Sequence, residues 1–137
     1  MRLIFLFISL FCFYSCSQSI WFEKDFYEKV TGIKFPVNYE LLETIDNGEW
    51  ITASVFQLDS NTAKHFVQSN YFDTVQAFND TRMLCDAYLN FYKPHFTSIK
   101  KLYIISKSKN KNHWKYMVDL NTNMLWAEVT YPDSGGT

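Results

Sequence analysis

The sequence predicts an α+β domain, one antiparallel sheet of about five strands with two to three helices packed on one face. Three observations lead there. Asn47-Gly48 stands between two β-prone runs, a strong short-range sign of a hairpin. Two segments, near residues 20–30 and 60–70, repeat apolar residues at helical spacing. The last third alternates apolar and polar residues in runs separated by polar turns. The 137 residues suit a single domain, and a hydrophobic content of 47% can supply its core.

The first helix is expected over residues 20–30. Phe22, Phe26 and Val30 recur at i, i+4 and i+8 with Tyr27 beside them, while Glu23, Lys24, Asp25, Glu28 and Lys29 fall off that stripe. Gly32 offers a left-handed cap, and Pro36 prevents continuation. Strands follow at 39–45 and 50–58, joined through Asp46 to Glu49. In the second, Trp50, Thr52, Ser54, Phe56 and Leu58 share one face, and Ile51, Ala53, Val55 and Gln57 the other. Both faces are partly apolar, which marks a central strand. Asp59-Ser60 caps a helix to about Asn70, with Ala63, Phe66, Val67 and Tyr71 turned inward.

After a polar link, Asp80 or Thr81 starts a third helix to Tyr92, with Leu84, Tyr88 and Phe91 on one stripe and Pro94 beyond its end. Strands at 101–106, 114–119 and 124–131 then form a meander, with a polar loop at 107–112 and a turn at 121–123. Trp114, Tyr116 and Val118 should face the helices. Lys115, Met117 and Asp119 should then lie on a face open to water and continuous with the lysine-rich loop.

Composition excludes several classes of function. Of four glycines, Gly135 and Gly136 are terminal, and Gly32 and Gly48 alone cannot write a glycine-rich phosphate loop. His65, His95 and His113 fall in different elements, without the spacing of a zinc site. No serine stands in a nucleophile-elbow setting. The acid pairs Glu40/Glu43 and Asp46/Glu49 read as a solvated hairpin. No cofactor and no catalytic residue is therefore expected, and the sequence leans away from an enzyme.

The N-terminus reads as an address. Arg2 precedes an apolar run from Leu3 to Tyr14 broken only by Ser9. Twelve helical residues span roughly 18 Å, short of a bilayer core of about 30 Å. A positive start and a short apolar run are the layout of a secretory signal. Phe13-Tyr14-Ser15-Cys16 then resembles the lipobox of bacterial lipoproteins, a small residue followed by the cysteine that takes the lipid. Phe13 stands where that pattern usually has an aliphatic residue, a relaxation similar to the boxes of Bacteroidetes-type lipoproteins. The resemblance covers about 16 residues. It implies a diacylglycerol thioether at Cys16, cleavage before it, and acylation of the new amino group. Ser17 after the cysteine implies sorting to an outer membrane, facing the periplasm.

The expected organisation is a signal at 1–15, a tether at 16–19 and one domain over 20–137. Conventional cleavage after Ser17 is the alternative, since Ser15 and Ser17 are small residues at −3 and −1. With Cys12 removed and Cys16 lipidated, Cys85 is the one cysteine left, and it reads as a small buried hydrophobe. Without the lipid, a Cys16–Cys85 bridge is open.

Charge is uneven along the chain. Residues 16–92 carry a net −6 and residues 93–137 a net +4, against −1 for the whole. Lys93, Lys100, Lys101, Lys107, Lys109, Lys111 and Lys115 run without an intervening acid, interleaved with Trp114 and Tyr116. The candidate partner surface is Lys109, Lys111 and Lys115, able to meet lipid headgroups or an acidic protein. Arginine is missing from the run, which argues against nucleic acid. The expected function is a small membrane-anchored lipoprotein with a non-enzymatic binding or accessory role in the cell envelope, immunity-type proteins included. The alternative is a small-ligand binder, or an enzyme whose site is assembled from dispersed residues.

Overall fold

Central strands are built from residues that are apolar on both sides, and the chain uses them to join its two halves. In the computed structural model, which describes residues 22–46, 51–75 and 102–130, the elements in chain order are α1 (Lys24–Thr31), β1 (Tyr39–Asp46), β2 (Ile51–Leu58), α2 (Ser60–Ser69), β3 (Asp73–Val75), β4 (Leu102–Lys109), β5 (Asn112–Asp119) and β6 (Met124–Thr130). They form one antiparallel sheet of six strands in the order β1-β2-β6-β5-β4-β3. The N-terminal hairpin and the C-terminal meander meet where β2 pairs with β6, from Ile51↔Thr130 to Gln57↔Met124. The sheet has one strand more than expected, because Asp73–Val75, read as a polar link, pairs with β4.

The expected signal, Cys16, the turn through Asn47-Gly48, the helix at 80–92, Cys85, His95 and the C-terminal tail lie outside the described residues. The hairpin itself is present, with register running from Tyr39↔Leu58 to Asp46↔Thr52 and a bulge between Leu41 and Glu43. A bulge on an outer strand twists its edge and discourages further pairing.

Helix α1 begins later than the periodicity suggested. Phe22 precedes it and inserts into an aromatic cluster, its ring centroid 4.7 Å from Phe56 and 4.9 Å from Phe35. With Phe22 outside the helix, the inward residues are Tyr27 and Thr31, while Phe26 and Val30 are only half-buried. Hydrogen bonding accounts for the choice. The Tyr27 hydroxyl meets Thr52 Oγ1 at 3.3 Å and Ser54 Oγ at 3.4 Å, so the ring can be buried without orphaning its polar end. Thr31 Oγ1 donates to Tyr27 O at 2.7 Å, so Tyr116, 3.3 Å away, must donate its own hydroxyl to Thr31. Gly32 ends the helix at φ 73°, its N–H bonded to Glu28 O at 2.9 Å.

Helix α2 matches its sequence signal at the start. Asp59 accepts from Asn61 N and Thr62 N, and Ala63, Phe66 and Val67 are buried. Its end differs. The Asn70 side chain donates to Phe66 O at 2.8 Å, and Tyr71 turns left-handed at φ 54°. Tyr71 is thereby thrown outward, 91% exposed, and Phe72 replaces it against Phe66 at 5.6 Å.

Both described helices pack on one face. Tyr27, Phe35, Ala63, Phe66 and Val67 share a core with Phe56, Trp114, Tyr116, Val118, Leu125 and Val129. The opposite face is not open to water as expected. Trp126, Met117 and Leu102 are fully buried there, Ile104 and Val55 nearly so, and Asp119 has no exposure. Ala53, Val55, Ile104, Met117 and Trp126 make the middle of that face as apolar as the helix side, and Asp119 is accommodated by its own turn. Its carboxylate accepts from Asn121 N at 2.9 Å and Thr122 Oγ1 at 2.7 Å.

The expected loop at 107–112 is mostly strand. β4 continues to Lys109, which pairs with Asn112, and Asn110 and Lys111 alone make the connection at φ 52° and 68°. Two positive φ values define a type I′ turn, whose twist matches the strands it joins. Lysine has a Cβ that resists this region. Lys111→Gly should therefore raise stability by about 0.5–1 kcal/mol, read as a higher thermal midpoint. No rise would mean that the glycine's greater unfolded-state freedom offsets the relief.

Candidate functional site

Two surfaces stand out among the described residues. The first is the end of the β4–β5 hairpin, where Lys107, Lys109 and Lys111 are all exposed. Strand alternation puts Lys107 and Lys109 on the helix side of the sheet, as is Trp114, the partner of Lys107. The Lys109 ammonium lies 3.9 Å from where a Cβ on Gly32 would sit, so a cation stands at the C-terminal end of α1. The last helical carbonyls carry partial negative charge, so the placement is favourable.

Lys115, the third member of the candidate surface, is half-buried on the opposite face, with Ser106 and Glu128 as its register partners. Lys109 and Lys111 thus come together and Lys115 is separated from them by the sheet. Trp114 and Tyr116 do not join the surface either, being 3% and 0% exposed. Their alternation with lysine in sequence marks opposite sides of one strand. On the Lys115 side, Ser106, His113, Glu128 and Thr130 help line a recess of about 330 Å³. Ser108 Oγ and His113 Nδ1 are hydrogen-bonded there at 2.6 Å. Both are exposed, and the contact joins register partners across the β4–β5 hairpin.

The second surface was not singled out by sequence. The return segment after α1 and the outer flank of α2 enclose an open groove of about 470 Å³, with Phe35 and Phe66 as floor, Val37 as an 84% exposed lip, and His65 and Asn70 on the rim. Its volume is within the range of small-ligand sites. Among the described lining residues the one lysine, Lys34, already donates to Glu28 Oε2 at 2.7 Å. The signal that could have found it is the segment Phe35-Pro36-Val37, apolar residues in a stretch that neither helix nor strand explains.

Glu28 holds that segment in place. It takes Lys34 Nζ on one oxygen and Phe35 N on the other, at 2.9 Å, with Lys24 at 3.8 Å. The Lys34 hydrogen bond, then the Phe35 N–H, hold its carboxyl below the ordinary 4.5. A depressed carboxylate adds stability above its ordinary value and loses it as pH falls through the depressed one. Wild type should therefore be more stable than Glu28→Gln at neutral pH, and the difference should shrink below pH 4.5. Urea midpoints measured across that range would check it. A difference independent of pH would assign Glu28 a packing role only. Elsewhere, burial pushes the Tyr116 hydroxyl well above its usual range, so it stays neutral as a structural donor.

Among the described residues no group of three His, Cys, Asp or Glu is placed to hold a metal. The chain matches no protein-family model, no curated protein and no solved structure.

Proposed function

We propose that this chain is a small lipid-anchored protein of the bacterial cell envelope with a non-enzymatic binding or accessory role, held through Cys16 and most simply sorted to the outer membrane, facing the periplasm. The observation that carries the reading is the Phe13-Tyr14-Ser15-Cys16 sequence at the end of a twelve-residue apolar run. Its distance from the domain supports it. Five residues, 17–21, lie between Cys16 and Phe22, the first described side chain in the core cluster. Fully extended, the stretch from Cys16 to Phe22 reaches about 20 Å, enough to clear headgroups and keep the domain at the surface. Two or three acyl chains exceed what stable anchoring needs, whereas one would bind reversibly.

Binding rather than catalysis is supported by the surfaces themselves. The hairpin end presents ammonium groups, and the groove presents an apolar floor with a polar rim. The groove's volume favours a second reading, a small-ligand binder whose ligand lies on Phe35 and Phe66. Cells fed an alkyne fatty acid should label the wild-type protein in the membrane fraction. Cys16→Ala should carry no label and should leave that fraction or remain unprocessed. Label retained on the variant would end the lipoprotein reading.

A further inference from the structure

The geometry points to a neutral oligosaccharide as the ligand of the groove along α2, with Tyr71 as the ring on which one of its sugars stacks. This assignment rests on the small-ligand reading of the groove and not on the lipid anchor.

The groove's polar groups follow from the spacing of α2. Asn61, His65 and Ser69 stand at four-residue steps and are exposed, forming an outer row. Thr62, Phe66 and Asn70 repeat the step one position on and form the inner row. From Asn61 to Asn70 the chain rises about 14 Å at helical rise, longer than one sugar ring. Thr62 Oγ1 donates its proton to Asp59 Oδ2, and Asn70 Nδ2 donates to Phe66 O. Thr62 Oγ1 and Asn70 Oδ1 therefore turn lone pairs to a ligand, and lone pairs select one rich in O–H or N–H donors.

Charge does not enter the selection. Lys34 is compensated by Glu28, and the Asp59 carboxylate beside Thr62 by Asn61 N, Thr62 N and Thr62 Oγ1. Among the described lining residues no uncompensated charge is left to favour an ionic ligand.

Tyr71 carries the rest. It follows Asn70, a lining residue, by one peptide, about 3.8 Å between Cα atoms, and precedes Phe72, whose ring packs on Phe66 in the floor. Its φ of 54° is the left-handed position after a helix, where glycine is relaxed and a bulky residue is strained. A buried ring could offset that strain, but Tyr71 is 91% exposed. Strain kept without a packing return is characteristic of binding sites. The floor is shallow, since Phe35 and Phe66 are 3% and 4% exposed and open no slot for a peptide side chain. The apolar area on offer is the flat Tyr71 ring and the exposed Val37 lip. A pyranose fits such a surface. Its C–H face packs on a ring or a valine, while its edge hydroxyls meet amide, hydroxyl and imidazole groups.

The test begins with the full-length protein in detergent on an array of neutral and acidic oligosaccharides. Retention on neutral glycans and not on uronic-acid glycans is expected. Titration of a retained glycan should shift the backbone amide resonances of Val37, His65 and Asn70. Tyr71→Gly and His65→Ala should each weaken binding about tenfold or more. Tyr71→Gly should at the same time keep or raise the thermal midpoint, because glycine relieves the left-handed turn. A purely structural tyrosine would do the reverse, losing stability and leaving glycan affinity unchanged, and that result overturns the assignment. So does retention on acidic glycans alone, or on none. Indole, a neutral apolar probe, separates the two readings. If indole shifts the same amides and no glycan does, the groove stands as a small-ligand site and the saccharide falls. If neither shifts them, both fall.

Discussion

Phe66→Ala should cost the domain about 3–5 kcal/mol, the range for removing a buried aromatic ring. Phe66 is 4% exposed and lies between layers, its ring 6.0 Å from Tyr116 on the sheet, 6.4 Å from Phe35 and 5.6 Å from Phe72. Truncation leaves a cavity where three rings converge, and none can refill it without leaving its own neighbours. Domains of this size are typically stable by about 5–15 kcal/mol, so the variant should be near the edge of folding. Phe26, half-buried at the edge of the same core, should cost about 1–2 kcal/mol on the same change. Urea unfolding of the two variants ranks them. Equal losses would return Phe26 to the inner face of α1, in place of Tyr27.

Trp126→Ala should cost a similar 3–5 kcal/mol, and it probes the other side of the sheet. Trp126 is fully buried in β6, between Val55 on β2 and Met117 on β5. If that face were open to water, truncating a tryptophan on it would change stability by no more than about 0.5 kcal/mol. A fall in urea midpoint comparable to that of Phe66→Ala supports a sheet buried on both faces. A near-neutral result would restore the one-sided arrangement.

Much of the architecture was legible because it is written in local rules. Asp59 two and three residues before Asn61 and Thr62 is an N-cap, and it caps α2. Gly32 takes the left-handed position that ends α1. Trp114, Tyr116 and Val118 alternate and face the helices. Two apolar faces on residues 51–58 marked a strand with neighbours on both sides, and β2 has β1 and β6. The Asn110-Lys111 turn was not legible, since a type I′ turn is signalled by glycine at its second position and here lysine holds it. The strand at Asp73–Val75 is only three residues long, too short for any alternation to register.

The candidate site divides the same way. A run of lysines without acids is visible in the chain, and the exposed hairpin end realises part of it. Which lysines share a face depends on where strand ends and turn begins, and that decides whether position 115 lies with 109 or across the sheet from it. Local patterns along the chain specify an α+β domain, its caps, its hairpin, its meander and a basic C-terminal third. Packing between distant segments puts Tyr27 and not Phe26 into the core, buries Trp126, and opens a groove over Phe35 and Phe66. Caps and alternation act between residues a few positions apart. Burial and hydroxyl pairing are settled by residues far along the chain, as when Tyr27 finds Thr52 and Ser54, and no periodicity in either segment names the other.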